Sequence, residues 1–146
     1  MKSVPVAVID TNIVVSGLIT SNPESSLAAI LDGMLNGRLQ FVLSTALLDE
    51  YREVLQRPKL RKLHALQEHE IEKILEGISR NATWIEPTPS PLASPDPDDQ
   101  HLWDLLTARP DAVLVTGDHL LFVNPPPGTI VQLPREFLEN SLGTEP

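Results

Sequence analysis

Two short apolar runs in this 146-residue chain each end in an aspartate. Val6-Ala7-Val8-Ile9 passes directly into Asp10, Thr11 and Asn12, and Ala112-Val113-Leu114-Val115 passes into Thr116, Gly117 and Asp118. A β-branched run closed by polar residues reads as a fully buried strand of a parallel sheet. Parallel strands end on one common edge, where open α/β sheets place their chemistry. Asp10 and Asp118 are therefore candidates for a single site. Read alone, Asp10 serves equally well as the cap of the helix that follows it.

Two further acidic positions can reach that edge. Glu50 lies about one and a half turns into a helix that starts after a second strand. Its neighbours at three- and four-residue spacing, Ala46, Leu47 and Val54, are apolar. A glutamate on an apolar face is uncommon without a partner. Asp49 and Glu53 point elsewhere and read as solvated. Asp99 is followed by Leu102 and Leu106, so it opens the buried stripe of its helix, with Asp98 beside it and Asp96 across Pro97. That phase ranks Asp99 first, then Asp98, then Asp96, although an acid in a first helical turn also serves the helix dipole alone.

Inward carboxylates without neutralising arginines repel one another. A hard divalent cation relieves the repulsion, and Mg²⁺ or Mn²⁺ prefers carboxylate and water oxygen. Thr11, Asn12 and Thr116 are placed to orient those carboxylates by hydrogen bonding. The histidines at 64, 69, 101 and 119 show no ligand spacing, and His101 and His119 read as solvated although each adjoins a candidate acid. No GxGxxG, Walker or GxSxG motif occurs, and nothing supports a serine or cysteine nucleophile.

The elements that would hold these acids alternate. Ser25 or Ser26 can cap a helix through Leu27, Ile30, Leu31, Met34 and Leu35, ended by Gly37; Leu39–Leu43 is a second strand. Ser44 opens the helix of Glu50, which Pro58 stops, and Lys59–Ala65 is a short basic stretch of one or two turns. Glu68–Arg80 is amphipathic, and Trp84-Ile85 is a short strand. Five prolines between Pro87 and Pro97 make a stiff loop, read as lying within one domain. A helix runs from the Asp98-Asp99 pair to Pro110, Leu120–Val123 is a helical turn, Thr129–Leu133 a final edge strand, and Pro134–Leu138 opens a last helix. Strand–helix alternation implies an α/β fold, a parallel sheet of four to five strands with helices on both faces. The expected organisation is one domain over 1–140 and a tail over 141–146.

Composition sets bounds. No apolar run approaches the roughly 18 residues of a membrane span, and the start lacks the apolar stretch and cleavage site of a signal peptide. The absence of cysteine excludes disulfides and thiolate metal sites and fits a reducing cytosol, so a cytoplasmic location is expected. A formal charge of −9 argues against nucleic-acid binding by the bulk surface, unless clustered acids hold cations that reverse the local field.

Four ordered blocks, VIDTNIVVSGL, LSTALLDEYREVLQRPKL, DPDDQHLWDLL and VLVTGDHLLF, together with the closing LPREFL, resemble a PIN-domain protein. The branch they resemble most is the toxin components of toxin–antitoxin systems (VapC-like). The likeness covers most of the chain. It departs at Arg109-Pro110-Asp111, where members more often carry a small, glycine-containing turn.

That resemblance implies a Mg²⁺- or Mn²⁺-dependent endoribonuclease that hydrolyses RNA with metal-activated water and no covalent intermediate. It carries the catalytic set over to Asp10, Glu50, Asp99 (or Asp98) and Asp118, with Asp10, Asp99, Asp118 and Asp98 as metal ligands. It also implies a small antitoxin protein as partner, and a homodimer through the helices near Leu27–Leu35 or Ile71–Ile78. Arg57, Lys59, Arg61 and Lys62, with Arg52, form a basic cluster that could guide RNA, or simply a solvated helix end. Two alternatives stand beside the nuclease. One is a PIN fold that binds or scaffolds with little catalysis. The other is an aspartate-nucleophile phosphatase, which would want a second aspartate where Asn12 stands.

Overall fold

The fold is that of a computed structural model describing residues 5–141. Val4 and most of the expected tail, 142–146, lie outside the described residues. Among the described residues five strands form: β1 (Ala7–Ile9), β2 (Val42–Leu43), β3 (Thr83–Trp84), β4 (Val113–Val115) and β5 (Ile130–Gln132). β1 pairs in parallel with β4, β4 with β5, and β2 with β3. A parallel bridge between Ala7 and Phe41, with the Ala7 N–H donating to the Gln40 carbonyl at 3.0 Å, joins the two groups. The sheet thus runs β3-β2-β1-β4-β5, all parallel. Every residue of β1 and β4 is buried. Successive strand residues face opposite sides, so the sheet is covered on both faces, which is why these strands read as unbroken apolar runs.

The chain winds outward from β1 through β2 to β3, then returns to place β4 on the other side of β1. That reversal makes a crevice beyond the carboxyl ends of β1 and β4, the position where open α/β sheets bind ligands. Ile9 pairs with Val115, so Asp10 and Thr116 leave the sheet at the same level.

The first helix, α1 (Thr11–Ile19), starts at once, with Asp10 as its N-cap. Its apolar residues surround the axis and Ile13, Val14 and Val15 are all buried, so no amphipathic period announces it. Ser25 caps α2 (Ser26–Asn36), and Gly37 closes it in the left-handed conformation, φ 81°. Ser44 caps α3 (Thr45–Leu55). Pro58 begins α4 (Pro58–His64) rather than merely stopping α3, because proline's missing N–H costs nothing in a first turn. α5 (Glu68–Asn81) leads to β3; α6 (Gln100–Ala108), α7 (His119–Val123) and α8 (Pro134–Ser141) complete the chain.

The apolar stripes of α2 and α5, the helices expected to meet a second copy, pack largely into the chain's own core. Ile30, Leu31, Met34, Ile71, Leu75 and Ile78 are all buried, with α2 packed against α1, α5 and α8. The proline-rich loop is lashed to α6. Gln100 donates to the Leu92 carbonyl and accepts from the Ser94 N–H, and the Asp104 carboxylate accepts from the Ser90 N–H at 2.8 Å. Those bonds fix where the following Asp96–Asp99 segment begins.

Candidate active site

Asp10 caps α1 and also stands at the carboxyl edge of the sheet. Its Oδ1 accepts from the Thr11 N–H at 2.8 Å and its Oδ2 from the Thr116 hydroxyl at 2.7 Å. Burial raises its pKa; these two hydrogen bonds oppose the rise, and the charges of Glu50 and Asp118 add to it. The Thr116 hydroxyl, fully buried, also accepts from the Asp118 N–H at 3.0 Å. One side chain therefore ties the β1 and β4 acids together. The half-buried Asp118 caps α7 through Oδ1, to the Leu120 N–H at 2.9 Å.

Glu50 reaches the same crevice from α3, whose Leu47, Tyr51 and Leu55 are buried while Ala46, Glu50 and Val54 face the opening. Its Oε1 accepts from the Thr11 hydroxyl, and its Oε2 is 2.8 Å from His101 Nε2. Its pKa is lowered, first by the His101 hydrogen bond and then, against burial, by Thr11 and the charges of His101 and Arg57. Thr11 thus links two acids, its N–H to Asp10 and its hydroxyl to Glu50. Asn12, expected to do the same, is exposed on the cleft and bonds to none of them.

The three acids of the DPDD block separate clearly. Asp96 caps the single 3-10 turn Pro97–Asp99, its Oδ1 accepting from the Asp98 N–H at 2.9 Å. Asp98 is exposed at the cleft. Asp99 is half-buried and stands at the N-terminus of α6 without a capping hydrogen bond, and neither of its oxygens is bonded among the described residues. Its pKa is pushed up to about 6, by burial first and then by the charges of Asp10, Asp96, Glu50 and Asp118. Four carboxylates from four elements therefore share one field.

They line a cleft of about 800 Å³ that also takes in Asp49, Glu53 and Asp98. Among the described residues Arg57 is the one arginine or lysine on its wall, and it pairs with Glu53 at 3.1 Å. Asp49 and Glu53 are exposed, as expected, but stand at the rim rather than away from it. The other proposed guides lie elsewhere. Lys59, Arg61 and Lys62 are exposed on α4 and do not line the cleft, and Arg52 is bound to Glu72 on α5 at 2.9 Å.

All the cleft's acidic donors are oxygen, the set a hard divalent cation takes. Among the described residues, no three acidic or histidine side chains are already drawn into a ligand cluster. The fit is one of donor chemistry: an unbonded carboxyl at Asp99, held against its neighbours' charge, is what a cation would relieve.

His101 is the residue that sequence reasoning missed. It was expected to be solvated, yet its side chain is only 18% exposed, and its Nδ1 is buried without a partner. The available signal was its place on α6 one turn before the buried Leu105. His119 is exposed.

A parallel α/β sheet with an acidic crevice at its reversal point defines the class. The chain belongs to the PIN-domain family, which it matches over residues 6–120, a span that holds Asp10, Glu50, Asp99 and Asp118. Its fold is similar to that of a chain in the crystal structure of VapBC2 from Rickettsia felis bound to a DNA fragment from their promoter. The TM-score is 0.57 at 15% identity, over 88% of this chain and 98% of that one. No curated protein sequence matches the chain.

Proposed function

We propose that this PIN domain is a divalent-cation-dependent endoribonuclease and the toxin of a toxin–antitoxin pair. The observation that carries this reading is the convergence of Asp10, Glu50, Asp99 and Asp118, with the Asp99 carboxyl unbonded and pushed up to about 6. Asp10, Asp99 and Asp118 would hold Mg²⁺ or Mn²⁺, with Asp98 at the rim. Once bound, the cation supplies Lewis-acid polarisation of the phosphodiester and lowers the pKa of water.

The protein's own groups prepare that event. Thr11 and Thr116 favour the ionised form of Asp10 in spite of its burial. Thr11 and His101 hold Glu50 ionised on the α3 wall. Arg57 offers a positive group to an approaching phosphate. Water as nucleophile leaves the RNA 2′-OH unused, so this chemistry does not by itself forbid DNA.

The neighbouring fold belongs to a VapBC2 complex on promoter DNA, which supports a small antitoxin as this chain's partner. A homodimer and a cytoplasmic location belong to the same proposal, and sedimentation at micromolar concentration reads the first. Among the described residues no helix is long and apolar enough to cross a membrane. The acid-rich cleft keeps a second reading in view, a binding module with little catalysis, because phosphate meets few cations there.

Analysis of cleavage products separates the two. Single-stranded RNA incubated with the protein and Mn²⁺ is expected to give 5′-phosphate and 3′-hydroxyl ends, and none in EDTA. Cyclic 2′,3′-phosphate ends, or cleavage indifferent to EDTA, would overturn the mechanism. Tight RNA binding without cleavage would favour the module.

A further inference from the structure

Glu50 is the acid whose position is most fully determined from outside its own helix. It sits on α3, yet both of its oxygens are engaged by other elements: Oε1 by the Thr11 hydroxyl from α1 and Oε2 by His101 Nε2 from α6, at 2.8 Å. Glu50 and His101 are 27% and 18% exposed, so water competes poorly for this contact. An ionised carboxylate only accepts, which places a proton on Nε2 of the ring. Nδ1 is buried and has no hydrogen-bond partner among the described residues. Such an unpaired buried group calls for an explanation in native structures. It is Nε2 that the fold turns toward the Glu50 carboxylate.

We propose that His101 is a positioning residue for the acid cleft, fixing the Glu50 carboxylate from α6 while Thr11 fixes it from α1. The same ring joins α3 to the helix that carries Asp99 two residues earlier, so the spacing of Glu50 and Asp99 depends on it. This rests on the ribonuclease reading above for its effect on turnover, but not for its effect on cation binding. Partners of this kind commonly contribute 10- to 100-fold in metal affinity or activity.

The test is a double-mutant cycle over His101→Leu and Glu50→Ala, with His101→Gln as the variant that keeps an N–H donor. Mn²⁺ affinity is read by calorimetry and RNA cleavage under single-turnover conditions. His101→Leu is expected to weaken Mn²⁺ binding and slow kcat by roughly 10- to 100-fold, with KM changed less than about threefold. His101→Gln should recover most of both losses, and His101→Leu should cost almost nothing further in the Glu50→Ala background. Additive losses, or a His101→Leu protein that binds Mn²⁺ as wild type does, would overturn the proposal. So would a loss that His101→Gln does not recover. If the wild type binds Mn²⁺ with the expected coupling but cleaves no RNA, the ribonuclease reading fails and the positioning role stands. If it binds no Mn²⁺, both fail.

Discussion

Removing the charge of Asp99 should make the cation-free protein more stable. In the fold this carboxyl is pushed up to about 6 from 3.8, by burial and by the charges of four other acids. Between those two values the folded chain binds more protons than the unfolded chain, so stability falls as pH rises from about 4 to about 6, and the full cost persists at neutral pH. A difference of about two pH units corresponds at most to about 3 kcal/mol. Partial exposure screens the charge and leaves about 1–2 kcal/mol. Asp99→Asn, which removes the charge and keeps the shape, should therefore raise the melting temperature at pH 7.5 in EDTA by about 3–6 °C. At pH 4 the two proteins should melt nearly together. Asp98→Asn, whose carboxyl is exposed, should stay within about 0.5 kcal/mol of wild type. Mn²⁺ should reverse the order, stabilising the wild type by mass action and Asp99→Asn hardly at all. Thermal melts at four pH values, with EDTA or Mn²⁺, read every part of this. An Asp99→Asn protein no more stable than wild type at pH 7.5 in EDTA would refute the electrostatic reasoning.

Other consequences follow from the same geometry. Thr116→Val strips the buried hydroxyl that serves Asp10 and Asp118; it should cost about 1–3 kcal/mol in urea denaturation and about 10- to 100-fold in cleavage. A variant as stable and active as wild type would remove Thr116 from its linking role. Arg57→Ala, in a cleavage-dead Asp10→Asn background, should weaken RNA binding and flatten the plot of log K against log salt by about 0.7. Changing Lys59, Arg61 and Lys62 together to alanine should move the salt slope less, because none of them lines the cleft; a larger effect would relocate the RNA path to α4. Cleavage should decline as pH falls through about 6, where Asp99 takes up a proton, and higher Mn²⁺ should shift the midpoint downward as cation and proton compete. A profile unaffected by Mn²⁺ concentration would contradict that competition.

The sheet was legible in the sequence because parallel strands buried on both faces leave continuous apolar runs, as β1 and β4 do. Their common edge followed from topology, and with it the pairing of Asp10 with Asp118. Glu50 was legible as an acid among apolar neighbours, and Asp99 from its phase on α6. The extent of α1 and the partner of His101 were harder to read. A helix apolar on all sides carries no period, and a histidine's partner 51 residues away carries no local signal. Asn12 looked equivalent to Thr11, but the helix start turns Thr11 inward and leaves Asn12 exposed. The α4 cations read from their clustering either as guides for RNA or as a solvated helix end, and Pro58 starts a new helix on which Lys59, Arg61 and Lys62 lie off the cleft wall. The stripes of α2 and α5 were patterned for burial, and a pattern does not say whether the burial is within one chain or between two.

Single-turnover cleavage of single-stranded RNA in Mn²⁺ by wild type, Asp10→Asn and Asp118→Asn tests the central claim most directly. Asparagine keeps an oxygen to cap α1 and α7, so both variants should fold. Each loses a charge that the proposed cation site needs, and a loss of several kcal/mol in transition-state stabilisation predicts rates lower by about two to three orders of magnitude. Equal cleavage by all three proteins would contradict the assignment of catalysis to the acids at the ends of β1 and β4.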